Sequence, residues 1–430
     1  MKLLVRNGRL IDPANRVDGT RDVVVADGVI QAITDPRAAD SDGAQVIDAT
    51  GRWIAPGFVD LGAHLREPGF EYKEDLKSGA AAAAAGGYTH VAASPDTDPA
   101  VDNVEVVEFI HRRADGNGGA EVRAIGAGTL ALKGEAMAPV GEMVRAGAVA
   151  VGDGHHWIRS SSLMRRLLEY AGHFDTTVIS RPSDPEIARG GQIHEGAVST
   201  ALGLRGIPRT AEDLAVARDL MVAEQTGGRL HLTGVSTAGA VRQIREAKAR
   251  GVRVTADANP LHLLLTHDAM FGFPVNLKIL PPLREGSDRQ ALIGGLKDGT
   301  VDALCSHHQP QSVMEKDSPF QGAEFGVAAL QSTVPLALAL VREHEVSEST
   351  IVRALSSAPA EVYGRATGLS VGAPAHITVV DPTGTWTLDR ETNRSKSVYS
   401  PQFGKSLQGR VHLTVRDGVV LFHEDARTAR

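Results

Sequence analysis

Strand and helix signals alternate over roughly 250 residues, hairpin-rich segments flank them, and no Gly-x-Gly-x-x-Gly opens a helix after the first strand. Together these predict an α/β fold. The expected architecture is a (β/α)8 TIM-type barrel over residues 56–365, with a small β-sandwich domain built from both chain termini, 1–55 and 366–430. An open doubly wound sheet is the alternative, and it lacks the glycine fingerprint of such sheets.

The first segment reads as short strands at 3–6, 22–25 and 29–33, turned by Asn7-Gly8 and Asp27-Gly28. Both dipeptides supply the positive φ angles of tight hairpins. The last segment repeats the pattern at 376–381, 411–416 and 419–422, with Asp417-Gly418 between the final pair. In the middle, a helix over 72–85 carries alanine from Ala80 to Ala85 and stops at Gly86-Gly87. An apolar strand at 88–93 follows. Strands at 148–151, 177–180, 230–233, 253–256 and 302–306 then alternate with helices at 161–171, 211–226 and 237–249.

At 430 residues and 42% hydrophobic content, the chain can bury one large core and a smaller one. Its formal charge of −7 gives no footprint for nucleic acid. The single cysteine, Cys305, rules out an internal disulfide framework and suits a reducing cytoplasm. It sits in the apolar run Ala303-Leu304-Cys305, a core position rather than a nucleophile's. The start of the chain reads as a strand, not a signal peptide, and no apolar run is long enough for a bilayer. A cytoplasmic protein without membrane or nucleic-acid partners is expected.

The chemistry concentrates in residues 56–69, PGFVDLGAHLREPG. In a strand, residues two apart point the same way, so His-x-His at a barrel strand's end aims two imidazoles at one metal. Here Gly62 stands in the first position and His64 alone remains.

With PGFVDLGAHLREPG, the stretches YKEDLKSGAAAAAAGG (72–87), HEGAVSTALGL (194–204), NPLHLLLT (259–266), PPLR (281–284) and GAPAHITVVDP (372–382) make the chain resemble the dihydroorotases of the amidohydrolase superfamily, over essentially its whole length. The resemblance implies a barrel mouth holding one or two zinc ions, which hydrolyses and closes the ring linking carbamoyl aspartate and dihydroorotate. It also implies ligand positions, and these are degenerate. His64 and Asp153 are retained, but the other histidine positions fall on Gly62, Arg181 and Gly234, and the catalytic aspartate falls on His307. Glycine offers no ligand, and arginine keeps its proton at neutral pH. Of the substrate contacts, Arg66 and His262 are present, whereas Asp96, Leu280 and Gln311 replace polar partners. Asp96 would repel an anionic substrate.

The resemblance is therefore to the non-catalytic dihydroorotase-like subunits that partner aspartate carbamoyltransferase. The expectation is a structural subunit of such an assembly, with a homo-oligomer left open, and with no catalytic residue and no cofactor. In the same reading, an Arg181–Asp153 ion pair replaces the metal as the tie across the mouth. The alternative is an active zinc-dependent cyclic amidohydrolase whose mononuclear site is rebuilt from His64, Asp153, His155, His156, His307 and His308. A small-molecule sensor using the old pocket ranks behind both.

Overall fold

A computed structural model describes residues 2–365 and 368–425. Eight strands pair side by side in chain order: Phe58–Ala63, Tyr88–Ala93, Glu121–Gly126, Ala150–Val151, Val178–Ser180, Leu230–Leu232, Val254–Ala258 and Ala303–Leu304. Every pairing is parallel, with helices in the crossovers, as a (β/α)8 barrel requires. The outermost two strands meet through one buried carboxylate. Asp60 accepts from the Ser306 amide at 3.0 Å and from Cys305 Sγ at 3.3 Å. The His64 amide donates to the His308 carbonyl at 2.8 Å just above.

Local chemistry sets the helix starts. The alanine-rich helix runs Leu76–Ala85 rather than from residue 72, because Asp75 caps it, accepting from the Ser78 amide at 2.7 Å. Ser160 likewise caps Ser161–Gly172. The expectation passed over the strand Glu121–Gly126 and several helices, among them Val104–Ala114, Gly286–Asp298 and Thr333–His344.

Both chain ends build a separate eight-stranded sheet. Its strands include Leu3–Asp12, Val17–Ala26, Val29–Thr34 and Trp53–Pro56 from one end, and Ile377–Thr387, Ser406–Arg416 and Val419–His423 from the other. Asp27-Gly28 and Asp417-Gly418 form tight hairpin turns, all four residues at positive φ. Asn7-Gly8 does not turn the chain. Asn7 adopts φ 58° inside a continuous strand and makes a bulge, held by its amide to Asp22 at 2.8 Å. A core of its own, with Leu3, Val23, Ile30, Ile54, Leu413 and Val415, fills this domain. The expected boundary at 365/366 adjoins residues 366–367, which lie outside the described residues. Among the described residues, no helix is long and apolar enough to cross a membrane.

Candidate active site

The C-terminal ends of the barrel strands carry every residue singled out at the mouth, where parallel barrels build their sites. His64 follows the first strand, Asp96 the second, His155 the fourth and Arg181 the fifth. Gly234 follows the sixth strand, and His307 the eighth.

Three of these residues converge. His64 and His155 stack with ring centroids 4.1 Å apart and planes within 3°. Asp96 reaches between their loops, with Oδ2 3.5 Å from Nδ1 of His64 and Oδ1 accepting from the His155 amide at 3.2 Å. Ser94 Oγ donates to Asp96 at 2.6 Å and fixes the carboxylate. Gly154, at φ +57°, lets this approach happen, since a Cβ there would strike the Asp96 carboxylate. One ligand atom from each of His64, Asp96 and His155 lies within 4.8 Å of the others. Nδ1 of His64 and Nε2 of His155 are buried and have no hydrogen-bond partner. Burial, reinforced by Arg66 and Arg181, holds the His64 pKa well below its ordinary value. Burial, with His64 and Arg181 next to it, does the same to His155. Both imidazoles are therefore neutral at pH 7, the form that binds a metal.

Arg181 lies against this cluster. Its guanidinium donates to Nδ1 of His155 and to the Leu280 carbonyl. The expected Arg181–Asp153 pair does not form. Asp153 is captured instead by Thr129, accepting from its amide at 2.8 Å and from its hydroxyl. Burial raises the Asp153 pKa to about 6.

The remaining candidates separate. His156 is largely exposed, its Nε2 3.9 Å from Asp96. His308 points away from the mouth, toward Glu74 at 3.3 Å, while its Nδ1 accepts from the Ala329 amide. His262 donates from Nε2 to the Pro281 carbonyl at 2.9 Å. Arg66 is buried against the Pro310 carbonyl, both contacts 3.3 Å, and does not line the mouth cavity. Gln311 donates to the Phe325 carbonyl at 2.7 Å. Cys305 is in the core, its thiol pKa pushed up by burial, as expected.

His307 has a partner that the sequence reading passed over. Its Nε2 lies 2.7 Å from Asp257 Oδ1, and His231 Nε2 meets the other oxygen at 2.9 Å. The Gly234 amide also donates to Asp257, at 2.9 Å. The missed signal was the acidic residue at the end of an otherwise apolar strand, Val254–Ala258.

The three converging donors suit zinc in kind and number, since catalytic zinc sites use three protein ligands from imidazole and carboxylate. Two features separate the cluster as it stands from a coordination site. Parallel rings do not aim in-plane lone pairs at one point, so one ring must turn. While Arg181 donates to Nδ1 of His155, Nε2 carries the proton, so Arg181 must withdraw.

Beside His155, a cavity of about 600 Å³ is lined by Lys133, Trp157, Arg159, Arg181, Pro281 and Arg284, among others. That size suits a small-molecule ligand.

Residues 51–240 match the family described as Dihydro-orotase-like. A dihydroorotase of Trichlorobacter lovleyi is 43% identical over 423 residues, spanning 98% of this chain and 99% of its own. The dihydroorotase of Anaeromyxobacter dehalogenans is 44% identical across 100% of this chain and 99% of its own. Among solved structures, the L-hydantoinase (dihydropyrimidinase) from Arthrobacter aurescens has a TM-score of 0.86 at 23% identity, covering 98% and 96% of the two chains. That likeness establishes the fold.

These relatives correct the expectation of a non-catalytic subunit. Proteins 43% and 44% identical end to end carry the name of the enzyme, and neither is named as a transferase-partner subtype. The expectation of no cofactor falls with it, because the resemblance ties that activity to zinc. The physical reason is that ligand losses at fixed positions did not empty the mouth of donors. Asp96 and His155, from different loops, converge on His64. By its full-length identity to these relatives and by its fold, the chain belongs to the dihydroorotase-like family of amidohydrolases.

Proposed function

We propose that the protein is a metal-dependent dihydroorotase of pyrimidine biosynthesis, which interconverts dihydroorotate and carbamoyl aspartate at a mononuclear site of His64, Asp96 and His155. The observation that carries the reading is the pair of buried, unpartnered imidazole nitrogens beside a fixed carboxylate. A bound zinc ion lowers the pKa of water and polarises an amide carbonyl. The chain's own residues do the rest. Ser94 holds Asp96 in place, and the His155 amide ties that carboxylate to the fourth strand's loop. His307 lines the inner wall with Asp257 behind it. Asp257 accepts the proton on Nε2, which leaves Nδ1 of His307 as the basic atom. In this reading the pair takes a proton and returns it to the leaving ring nitrogen, the work of the missing aspartate.

Dihydroorotate hydrolysis by the purified protein with zinc tests the proposal. Turnover abolished by chelator, and lost together with zinc binding in His155→Ala, is expected. Absence of both zinc binding and turnover in the wild type overturns it. A cytoplasmic location belongs to the same reading, supported by the single cysteine. Assembly with aspartate carbamoyltransferase is a separate proposal that rests on the resemblance alone. Co-expression followed by sizing should give one joint peak, and independent elution rejects it.

A further inference from the structure

Arg181 carries a charge that the fold leaves without a bonded counter-ion. Its two hydrogen bonds go to neutral acceptors, Nδ1 of His155 and the Leu280 carbonyl. Among the described residues, no carboxylate oxygen lies within 4.0 Å of its guanidinium. Asp96 is the strongest anion near it but is already engaged by Ser94 and the His155 amide. The other acids near it are engaged as well, Asp257 by His231, His307 and the Gly234 amide, Glu212 by the Ser236 and Thr237 amides, and Asp153 by Thr129. The remaining arginines of the cavity wall are paired, Arg159 with Glu186 at 2.5 Å and Arg284 with Glu212 at 3.5 Å. A guanidinium removed from water without an anion is costly, and a ligand carboxylate relieves that cost.

Arg181 also occupies the right place. It lines both the 600 Å³ cavity and the inner recess formed by His64, His155 and His307. Lys133 adds a second cation on the outer cavity, and Trp157, Pro281 and Pro282 add apolar walls. Arg66, the residue that the resemblance assigns to the substrate carboxylate, is turned to the Pro310 carbonyl and lines neither space.

We propose that Arg181, rather than Arg66, binds the carboxylate of the substrate, so that the cavity selects small anionic compounds with the amide directed at the His64–Asp96–His155 cluster. The inference rests on the cyclic amidohydrolase reading for the identity of the substrate, but not for the anion site. The planar fork suits a carboxylate bidentately, a geometry that lysine lacks.

The test uses succinate as an anion probe, measured by calorimetry on the full chain without added metal, beside dihydroorotate kinetics at saturating zinc. Arg181→Met should weaken succinate at least about tenfold and Arg181→Lys by less, as expected for loss of a charge-assisted hydrogen bond. In the kinetic assay, KM for dihydroorotate should rise by a similar factor while kcat changes less than about threefold. A merely structural role would instead lower kcat and the amount of folded protein together. Equal succinate affinity in wild type and both Arg181 variants overturns the inference. So does weakening by Arg66→Lys with Arg181→Lys unaffected, or a wild type that binds neither succinate nor dihydroorotate. Arg181-dependent succinate binding without turnover of dihydroorotate upholds the anion site and rejects the dihydroorotase reading.

Discussion

At the scale of single residues, the mouth turns on the tautomer of one imidazole. Arginine only donates, so Nδ1 of His155 must hold the lone pair and Nε2 the proton while Arg181 is in contact. Coordination through Nε2 needs the opposite tautomer, whose Nδ1–H would face an arginine N–H. Arg181 and a metal therefore compete for His155. Arg181→Met should tighten zinc by about tenfold, the worth of one charge-assisted hydrogen bond, as read by competition with a chromophoric chelator. The same variant is expected to lose succinate, so the two effects have opposite signs and general damage produces neither pattern. Unchanged zinc affinity would mean that His155 is not a ligand.

At the scale of elements, the two glycines standing where the family has histidines are not equivalent. Gly62 lies in the strand Phe58–Ala63 at an ordinary φ, and a Cβ there would meet only Cys305 Sγ, at 3.8 Å. Gly234 has φ +73°, and its Cβ would lie 2.9 Å from His307 Cε1. Gly62→His should fold and bind zinc at least about tenfold more tightly by adding an imidazole to the recess. Gly234→His should lose roughly 2 kcal/mol or more, from left-handed backbone strain and displacement of His307. Thermal midpoints and zinc titrations of both variants check this, and a stable Gly234→His would refute the steric argument. The contrast marks what a sequence can show. Asp27-Gly28 and Asp417-Gly418 announce their hairpins because a turn is decided by its own residues. Asn7-Gly8 has the same signature but becomes a bulge, because Asp22 across the sheet binds the Asn7 amide. The site divides in the same way. His64 and His155 are legible as donors, whereas the choice of Asp96 over Asp153 depends on Thr129, which takes Asp153 from another strand's loop. His307 and His308 look equivalent in sequence, yet one faces the recess and the other Glu74.

At the scale of the whole molecule, several histidines outside the mouth cluster are folded into places that exclude their charged form. Burial, with His376 and Arg365 near it, pushes the His90 pKa down to about 2. Burial pushes His262 down to about 3, and burial with Arg284 takes His194 to about 4. All three are lowered from an unfolded value near 6.5, which fixes the sign. Below that pH the unfolded chain takes up protons that the folded chain refuses, so stability present above pH 6.5 is lost as pH falls toward 4. Each group contributes about 1.4 kcal/mol per pH unit in that window, and the three together about 4. Carboxylates titrate near pH 4 in the unfolded chain and add to the loss mainly below it, whereas Asp153, raised to about 6 by burial, takes up its proton in the folded chain first and offsets part of the loss. His194 is the cleanest probe. Its Nδ1 accepts from Arg284 at 3.1 Å, and glutamine can replace that acceptor without ever charging. Proton uptake on unfolding at pH 5.5, from calorimetry in buffers of different ionisation enthalpy, should fall by about one proton in His194→Gln. The variant should also lose stability less steeply between pH 6.5 and 5. Equal proton uptake in the two proteins would mean that His194 is already charged in the fold. Near neutral pH this scaffold and the proposed metal site, where burial also holds His64 and His155 uncharged, both keep their histidines neutral.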